Sequence, residues 1–162
     1  MDDVAGEARV SKPIVYRYIG DKAALTLALS EWLIDQIERA TSSAQATVVD
    51  PRERFRVAVH AYLATIDEHR NVFLFVNAGG HTSELFGRLV DRSARGLVEL
   101  LEPLRLLAGL DAAGARSWAY SIIGSLQVVA TMWQRDGYRQ LDSLTDDLTR
   151  MMWDGLGAQA TR

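Results

Sequence analysis

Residues 2–22 read DDVAGEARVSKPIVYRYIGDK, and this stretch decides the fold of the N-terminal part of the chain. Apolar residues recur at helical spacing on both sides of a turn near Arg9, which predicts two short helices that cross closely. Ser11 is a favoured N-cap residue, and Pro13 in the first turn gives up no helical hydrogen bond, so the second helix is predicted to begin here. Asp21 is placed to cap a third helix. The pattern is that of a helix-turn-helix.

Apolar side chains of the two short helices are predicted to pack against each other and to leave a polar face of the second helix free. The packing residues are Val4, Ala5 and Ala8 before the turn and Val10, Ile14, Val15 and Tyr18 after it. Between Arg9 and Lys22 there are four cations and one carboxylate, a local charge of +3 in a chain whose formal net charge is −3. A local basic excess suits DNA, although composition alone also permits an ordinary helical hairpin with a few surface cations.

The order of residues resembles the DNA-binding signature of the TetR family of transcriptional regulators. In that family an Ile/Val-Ala-x-x-Ala-Gly-Val-Ser segment precedes a Tyr-x-x-Phe-x-x-Lys-x-x-Leu segment, and here the two read VAGEARVS at 4–11 and YRYIGDKAAL at 16–25. Arg9 stands at the usual turn glycine and Ile19 at the usual phenylalanine. If the turn requires a positive φ, Arg9 strains it; alternatively, its side chain adds a phosphate contact.

The resemblance implies an all-α fold, with a helix-turn-helix in residues 1–24 and a helical effector-binding and dimerisation domain in residues 25–162. The boundary is expected inside a continuous helix. Family members carry one more helix before this pair, so we expect Met1 to be an internal methionine of a longer protein, reached through a misassigned start or a shortened or variant sequence. The implied function is that of a ligand-responsive regulator, most often a repressor, which binds a near-palindromic operator as a homodimer.

For DNA, the predicted contact residues are Ser11, Lys12, Ile14, Tyr16, Arg17 and Lys22. By resemblance, Tyr16 and Lys22 match positions that touch phosphates, whereas Lys12 and Arg17 face the groove, where they can read bases. Ile14 is a candidate apolar contact to a thymine methyl group.

Downstream, helical spacing continues from Asp21 to the polar stretch 41–47, which is typical of a loop. Further helices are predicted to begin at Asp50-Pro51, at Thr82 or Ser83, at Asp111 and near Leu141, and a short buried helix is predicted at 72–76. The predicted stops are Gly79-Gly80, a bend or end at Pro103, and Asp136-Gly137. The helix after Asp50 carries one apolar face, made of Phe55, Val59, Tyr62, Leu63 and Ile66.

Two further sets of candidates lie in these helices, and ordinary core packing is the alternative for both. The effector is predicted to be small and apolar or aromatic, with contacts from Tyr62, Phe73, Asn77, His81, Phe86, Trp118 and Gln127. The resemblance implies a dimer that forms through the last two long helices, with contacts from Ile122, Ser125, Leu126, Val129, Leu148 and Met152.

The composition and the absence of known motifs argue against several other classes of protein. The 162 residues include no cysteine, no apolar run approaches the ~18 residues of a membrane span, and an acidic start is unlike a secretory signal, so we expect a cytoplasmic protein without a membrane partner. No Glu-x-x-His, His-Glu-x-x-His or phosphate-binding glycine motif occurs, so no enzyme activity, cofactor or metal is predicted. The main alternative is a helical ligand-binding or dimerisation module without DNA-binding activity, and a helical-bundle enzyme is a third.

Overall fold

The computed structural model describes residues 2–7, 9–78, 83–107 and 109–155, and all regular secondary structure within these ranges is helical, which confirms the all-α fold. The helices are α1 (Asp2–Glu7), α2 (Lys12–Ile19), α3 (Lys22–Gln45), α4 (Pro51–Glu68), α5 (Arg70–Ala78), α6 (Ser83–Leu107), α7 (Ala112–Asp136) and α8 (Leu141–Thr149), the last continued by a π-helical turn (Arg150–Asp154). None of the helices in these ranges is both long and apolar enough to cross a membrane.

Three aspartates begin the long helices as predicted. The carboxylate of Asp21 accepts from the amide of Ala24 at 2.9 Å, that of Asp50 from the third residue of α4 at 2.7 Å, and that of Asp111 from the third residue of α7 at 2.8 Å. Each bond satisfies an amide that has no partner inside its helix. These starts are set by local chemistry, which is why the sequence predicts them.

Arg9, in the turn between α1 and α2, has the positive φ that the sequence analysis considered for this position. Arg9 has φ 53°, its amide donates to the carbonyl of Gly6 at 3.2 Å, and the amide of Val10 donates to that of Ala5 at 3.0 Å. This pair of bonds is a Schellman motif, in which glycine usually takes the left-handed position. Arg9 therefore holds a conformation that costs about 1–2 kcal/mol for a residue with a Cβ.

One predicted helix end is wrong, and one of two alternatives at a second position is excluded. α3 continues through the polar stretch to Gln45, because the Thr41 hydroxyl donates to the carbonyl of Ile37 at 2.8 Å and the Gln45 amide to that of Thr41 at 3.1 Å. Of the bend or end predicted at Pro103, the end is excluded, because α6 continues through Pro103 to Leu107. The predicted stop at Gly79-Gly80 lies outside the described residues.

The core forms around α4, which packs against α3, α5, α6, α7 and α8. Phe55, Val59, Leu63 and Ile66 lie on one side of this helix and are each at most 2% exposed, so the predicted apolar face is confirmed for these four. Each contributes roughly 1.5–3 kcal/mol through burial. Tyr62, the fifth member of the face, borders a cavity.

Candidate functional site

The second short helix presents an exposed face to solvent. Ile14 is 44% exposed, Tyr16 is 52% exposed, and Arg17 is exposed beside them. Val10, Ile14 and Tyr18 are 38%, 44% and 82% exposed, so the prediction that these three residues pack between α1 and α2 is wrong. Tyr18 lies one helical turn after Ile14, and residues so spaced share the same open side of the helix. The Lys12 side chain lies outside the described part of the chain.

Ser11 precedes α2 with extended backbone angles, as an N-cap does, but its hydroxyl makes no capping bond. An N-cap hydroxyl normally accepts from the second or third amide of its helix. The second residue here is Pro13, which has no amide N–H, and the amide of Ile14 donates to the Ser11 carbonyl at 2.9 Å. The exposed hydroxyl of Ser11 is therefore not used by the helix and is open to a ligand such as a phosphate.

Lys22 begins α3 and links the N-terminal region to the helical bundle. Its ammonium nitrogen lies 5.9 Å from the centroid of the Phe75 ring in α5, a cation–π arrangement. α3 then runs 24 residues, about 36 Å, without a break through the expected boundary at residue 24. Residues from Ser30 to Gln45 along the same helix line the cavity.

The cavity lies between α3, α4, α5, α6 and α7 and has a volume of about 680 Å³, within the range of small-molecule sites. Its wall is mainly aliphatic and aromatic, with several polar side chains among the lining residues. The apolar side chains include Leu33, Ile34, Ile37, Phe55, Ala58, Val59, Phe73, Val76, Leu97, Leu100, Ile122, Ile123 and Leu126; the polar ones include Thr41, Gln45, Arg54, Tyr62, Asn77, Arg92, Glu99 and Gln127.

Four of the predicted effector residues, Tyr62, Phe73, Asn77 and Gln127, line this cavity together. Trp118 instead borders a second hollow of about 220 Å³ between α7 and the C-terminal turn. His81 and the side chain of Phe86 lie outside the described residues. The structure thus brings together residues from α4, α5 and α7 that are far apart in sequence.

Two polar residues of the cavity wall, Asn77 and Gln127, are hydrogen-bonded to each other. The Gln127 amide donates to the Asn77 side-chain oxygen at 2.8 Å, and the Asn77 amide donates to the Phe73 carbonyl at 2.8 Å. The Tyr62 hydroxyl makes no hydrogen bond within the described chain, and burial raises the pKa of this phenol above its usual value near 10. Because its ring borders the cavity, a ligand there can reach the hydroxyl.

Arg92, another residue of the cavity wall, joins α6 to α3. Its guanidinium bonds to Asp35 and to both carboxylate oxygens of Glu38, and these bonds raise the pKa of Arg92. Arg54 also lines the cavity and was not among the predicted residues. Arg54, Ala58 and Tyr62 are spaced four residues apart, which was the available signal, because such residues share one side of a helix.

The residues predicted to form the dimer interface differ in how buried they are within the subunit. Ile122, Leu126, Leu148 and Met152 are each at most 8% exposed and belong to the core of the subunit. Val129 packs partly against that core, while Ser125 is exposed. The accessible surface of the same helices includes, besides Ser125, the residues Tyr120, Ser121, Gly124, Val128 and Met151.

These features define a class of protein. A short helix whose exposed face carries Arg17, followed by a long helix that forms part of a hollow helical bundle, is the architecture of a helix-turn-helix regulator with a regulatory domain.

Comparisons with known proteins identify the family. The chain is 32% identical over 161 residues to an uncharacterized HTH-type transcriptional regulator of Mycobacterium tuberculosis, covering 96% of this chain and 68% of the relative. It is 24% identical over 159 residues to the HTH-type transcriptional activator FasR of Mycolicibacterium smegmatis, covering 96% of this chain and 73% of FasR. A TetR-like transcriptional regulator from Rhodococcus sp. RHA1 superposes with a TM-score of 0.72 at 26% identity, covering 96% of this chain and 83% of the other.

No family model matches the sequence. The relatives and the fold nevertheless agree with the signature in residues 4–25, and the chain belongs to the TetR family of DNA-binding transcriptional regulators.

Proposed function

We propose that the protein is a ligand-responsive regulator that binds a near-palindromic operator as a homodimer and leaves it when a small, largely apolar molecule occupies the cavity. One observation carries this proposal: α3 begins at Lys22, beside the helix-turn-helix, and forms a wall of the cavity further along. A helix common to both parts can transmit a displacement from one to the other.

DNA contacts come from the exposed side of α2 and the start of α3. The free hydroxyl of Ser11 and the exposed Tyr16 suit phosphates, and Lys22 at the helix start does too. Arg17 and Lys12 are assigned to base edges, and Ile14 to a thymine methyl group. Such contacts divide into a salt-dependent set that positions the helix and a smaller set that reads sequence.

Coupling between the cavity and DNA runs through α5. Phe73, Val76 and Asn77 of this short helix border the cavity, whereas Phe75 lies beneath the Lys22 ammonium. A ligand that shifts α5 therefore moves the support of a DNA-contacting residue. Thermodynamic reciprocity requires that DNA weaken ligand binding by the same factor.

The homodimer forms through the exposed side of α7 and the C-terminal turn. Ser121, Ser125 and Val128 lie on one side of α7, with Gly124 between them, and all are exposed. Met151 is 59% exposed beside the hollow near Trp118, which is open to a partner side chain. A twofold axis here places two copies of α2 at a separation of one DNA turn, about 34–36 Å, or a larger one.

We assign the sign of regulation as repression, because release on ligand binding relieves a block where the operator overlaps a promoter. The related FasR is named an activator, so the sign is decided by a reporter carrying the natural upstream promoter with and without the protein. A protein with this activity works where the chromosome is, which places it in the cytoplasm.

A mobility-shift assay with the upstream intergenic DNA tests the function. Wild type is expected to shift the DNA, and Arg17→Ala to weaken binding about 5- to 150-fold, as expected for loss of a base-reading contact of ~1–3 kcal/mol. Arg39→Ala is the matched control, since Arg39 is exposed further along α3. Absence of any specific shift would support the alternative of a helical ligand-binding module that does not bind DNA.

A further inference from the structure

Among the residues that the structure describes, Arg54 differs from Arg92, the other arginine of the cavity wall, in having no hydrogen-bond or ion-pair partner. Its Nε atom is buried and makes no hydrogen bond within the described chain, and no carboxylate there lies within 4.0 Å of its nitrogens. Arg92, by contrast, is held by Asp35 and Glu38. The cavity therefore has one cation whose charge is balanced by neighbours and one whose charge is not.

Carboxylates close to Arg54 in sequence are already committed elsewhere. Asp50 caps α4 through the amide of Glu53, and the Glu53 carboxylate bonds to Arg56 at 2.9 and 3.0 Å. Glu99 also borders the cavity, but it is exposed and forms no ion pair with Arg54. A buried charged donor without an acceptor is unfavourable, so a protein that keeps one beside a cavity gains when a ligand supplies the acceptor.

The start of α4 adds to the positive field at this end. Arg54 lies in the first turns of the helix, where unpaired amides and the helix dipole favour anions. Arg54 and Tyr62 are eight residues apart on the same side, a distance of about 12 Å along the helix axis. Ala58 lies between them, and its small side chain leaves room for a ligand along α4.

The cavity wall is mainly apolar. Its apolar side chains include Ile34 and Ile37 of α3, Val59 of α4 and Leu97 of α6. The site therefore has a cationic end and a long apolar body, with the Tyr62 hydroxyl two turns away from the cation. These are the complementary features of an amphiphile with a single charged head.

We propose that the ligand is an apolar carboxylate whose head binds the guanidinium of Arg54 and whose body lies over Ala58 toward Tyr62. This rests on the proposed function, in that the cavity is the effector site, and it names the chemical class of the effector. The planar guanidinium matches a carboxylate in a way that a neutral head does not, because two parallel N–H donors meet two oxygens.

Two probes of equal length and shape test the proposal on the full chain by calorimetry: decanoate, which carries the charge, and decanamide, which does not. Wild type is expected to bind decanoate at least about tenfold more tightly than decanamide, since hydrogen bonds to charged groups have about that effect. Arg54→Met is expected to remove this preference by weakening decanoate and leaving decanamide unchanged, and Arg54→Lys to retain part of it.

Arg52→Met is the matched control, because Arg52 lies two residues earlier on α4, pairs with Asp154 at the surface and does not line the cavity. It is expected to bind both probes as wild type does. Equal affinities of wild type for the two probes, equal weakening of both by Arg54→Met, or binding of neither would overturn the proposal. Thermal unfolding of each variant verifies that it is folded. The mobility-shift assay without any probe tests the regulator function separately, so the two failures are distinguishable.

Discussion

The ammonium of Lys22 lies 5.9 Å from the centroid of the Phe75 ring, so a residue at the start of the connecting helix rests on a helix that walls the cavity. Phe75 and Phe73 belong to the same short helix. Phe75 lies beside the Lys22 ammonium, whereas Phe73 lines the cavity. This arrangement makes the position of a DNA-contacting cation depend on α5 before any ligand is considered.

A double-mutant cycle on DNA binding measures that dependence without a ligand. Lys22→Ala is expected to weaken binding to a random duplex and to lower the salt slope by about one, because one phosphate contact is lost. Phe75→Leu is expected to cost less, about 0.5–1 kcal/mol, since it removes only the cation–π support. In the double variant, Phe75→Leu is expected to cause no further loss of DNA affinity beyond that of Lys22→Ala.

Arg39→Ala is the control for this cycle, because it removes an exposed cation from the same helix far from Lys22, and it is expected to leave the salt slope unchanged. Fully additive losses in the double variant would mean that Phe75 does not position Lys22.

A substitution at Arg9 separates the effect of backbone strain on local stability from the effect of the side-chain charge on DNA affinity. Arg9→Gly is expected to stabilise α1 and α2 against local opening by about 1 kcal/mol, because glycine adopts a positive φ without a steric penalty. Hydrogen exchange of the amides in residues 5–20 measures this. The same change removes a cation, so DNA affinity at low salt is expected to fall while local stability rises.

The converse substitution provides the control. Gly137 has φ 60° after α7, and a Cβ added there meets no atom within 4 Å, so Gly137→Ala isolates the backbone cost. It is expected to destabilise the protein by about 1 kcal/mol. Unchanged exchange in Arg9→Gly would show that the turn stores no strain.

How far the sequence predicts this molecule depends on the range of the interactions involved. Asp21, Asp50 and Asp111 begin their helices through bonds to residues three positions away, and such starts can be read locally. The end of α3 cannot, because the polar residues of the stretch 41–47 are compatible locally with a loop or a helix, and in the structure Thr41 and Gln45 make side-chain bonds within α3 and line the cavity formed with other helices.

The candidate site shows the same division. The spacing of Arg54, Ala58 and Tyr62 is visible in the sequence, but whether that side of α4 meets a cavity depends on five helices packing together. Apolar periodicity on α7 indicated Ile122 and Leu126 as interface residues, yet periodicity identifies a buried face without telling a subunit core from a dimer contact. The exposed side of the same helix carries mostly small and polar residues, which give no such signal.

Tyr62 provides a prediction about stability at neutral pH. Its hydroxyl has no hydrogen-bond partner in the described chain, so Tyr62→Phe is expected to be neutral or stabilising in urea unfolding. Tyr120→Phe is the comparison, because the Tyr120 hydroxyl donates to Asp91 across α6 and α7, and its loss is expected to destabilise the protein relative to Tyr62→Phe. A clear loss of stability in Tyr62→Phe would contradict the assignment of a free hydroxyl.

The raised pKa of Tyr62 also has a consequence at alkaline pH. The pKa of Tyr62 in the folded protein lies above the usual value near 10, which the unfolded chain is expected to show. The stability linked to this difference is fully present below pH ~10. It is lost as pH rises through the folded pKa, because the unfolded chain ionises first. Between about pH 8 and pH 11, wild type is therefore expected to lose up to about 1 kcal/mol more than Tyr62→Phe. Parallel pH profiles for the two proteins would show that the phenol is not protected from ionisation.

Val128 tests the proposed dimer face. It is 62% exposed on the same side of α7 as Ser121 and Ser125, so Val128→Asp is expected to leave the subunit fold intact and to place a desolvated charge at the centre of the contact. Sedimentation is expected to give a monomer for this variant and a dimer for wild type, with specific DNA binding much reduced. Val49→Asp is the control, because Val49 is 91% exposed between α3 and α4, away from that face, and is expected to remain dimeric. A Val128→Asp protein that keeps the wild-type mass would exclude this side of α7 as the interface and would direct the search for the twofold contact elsewhere on the subunit.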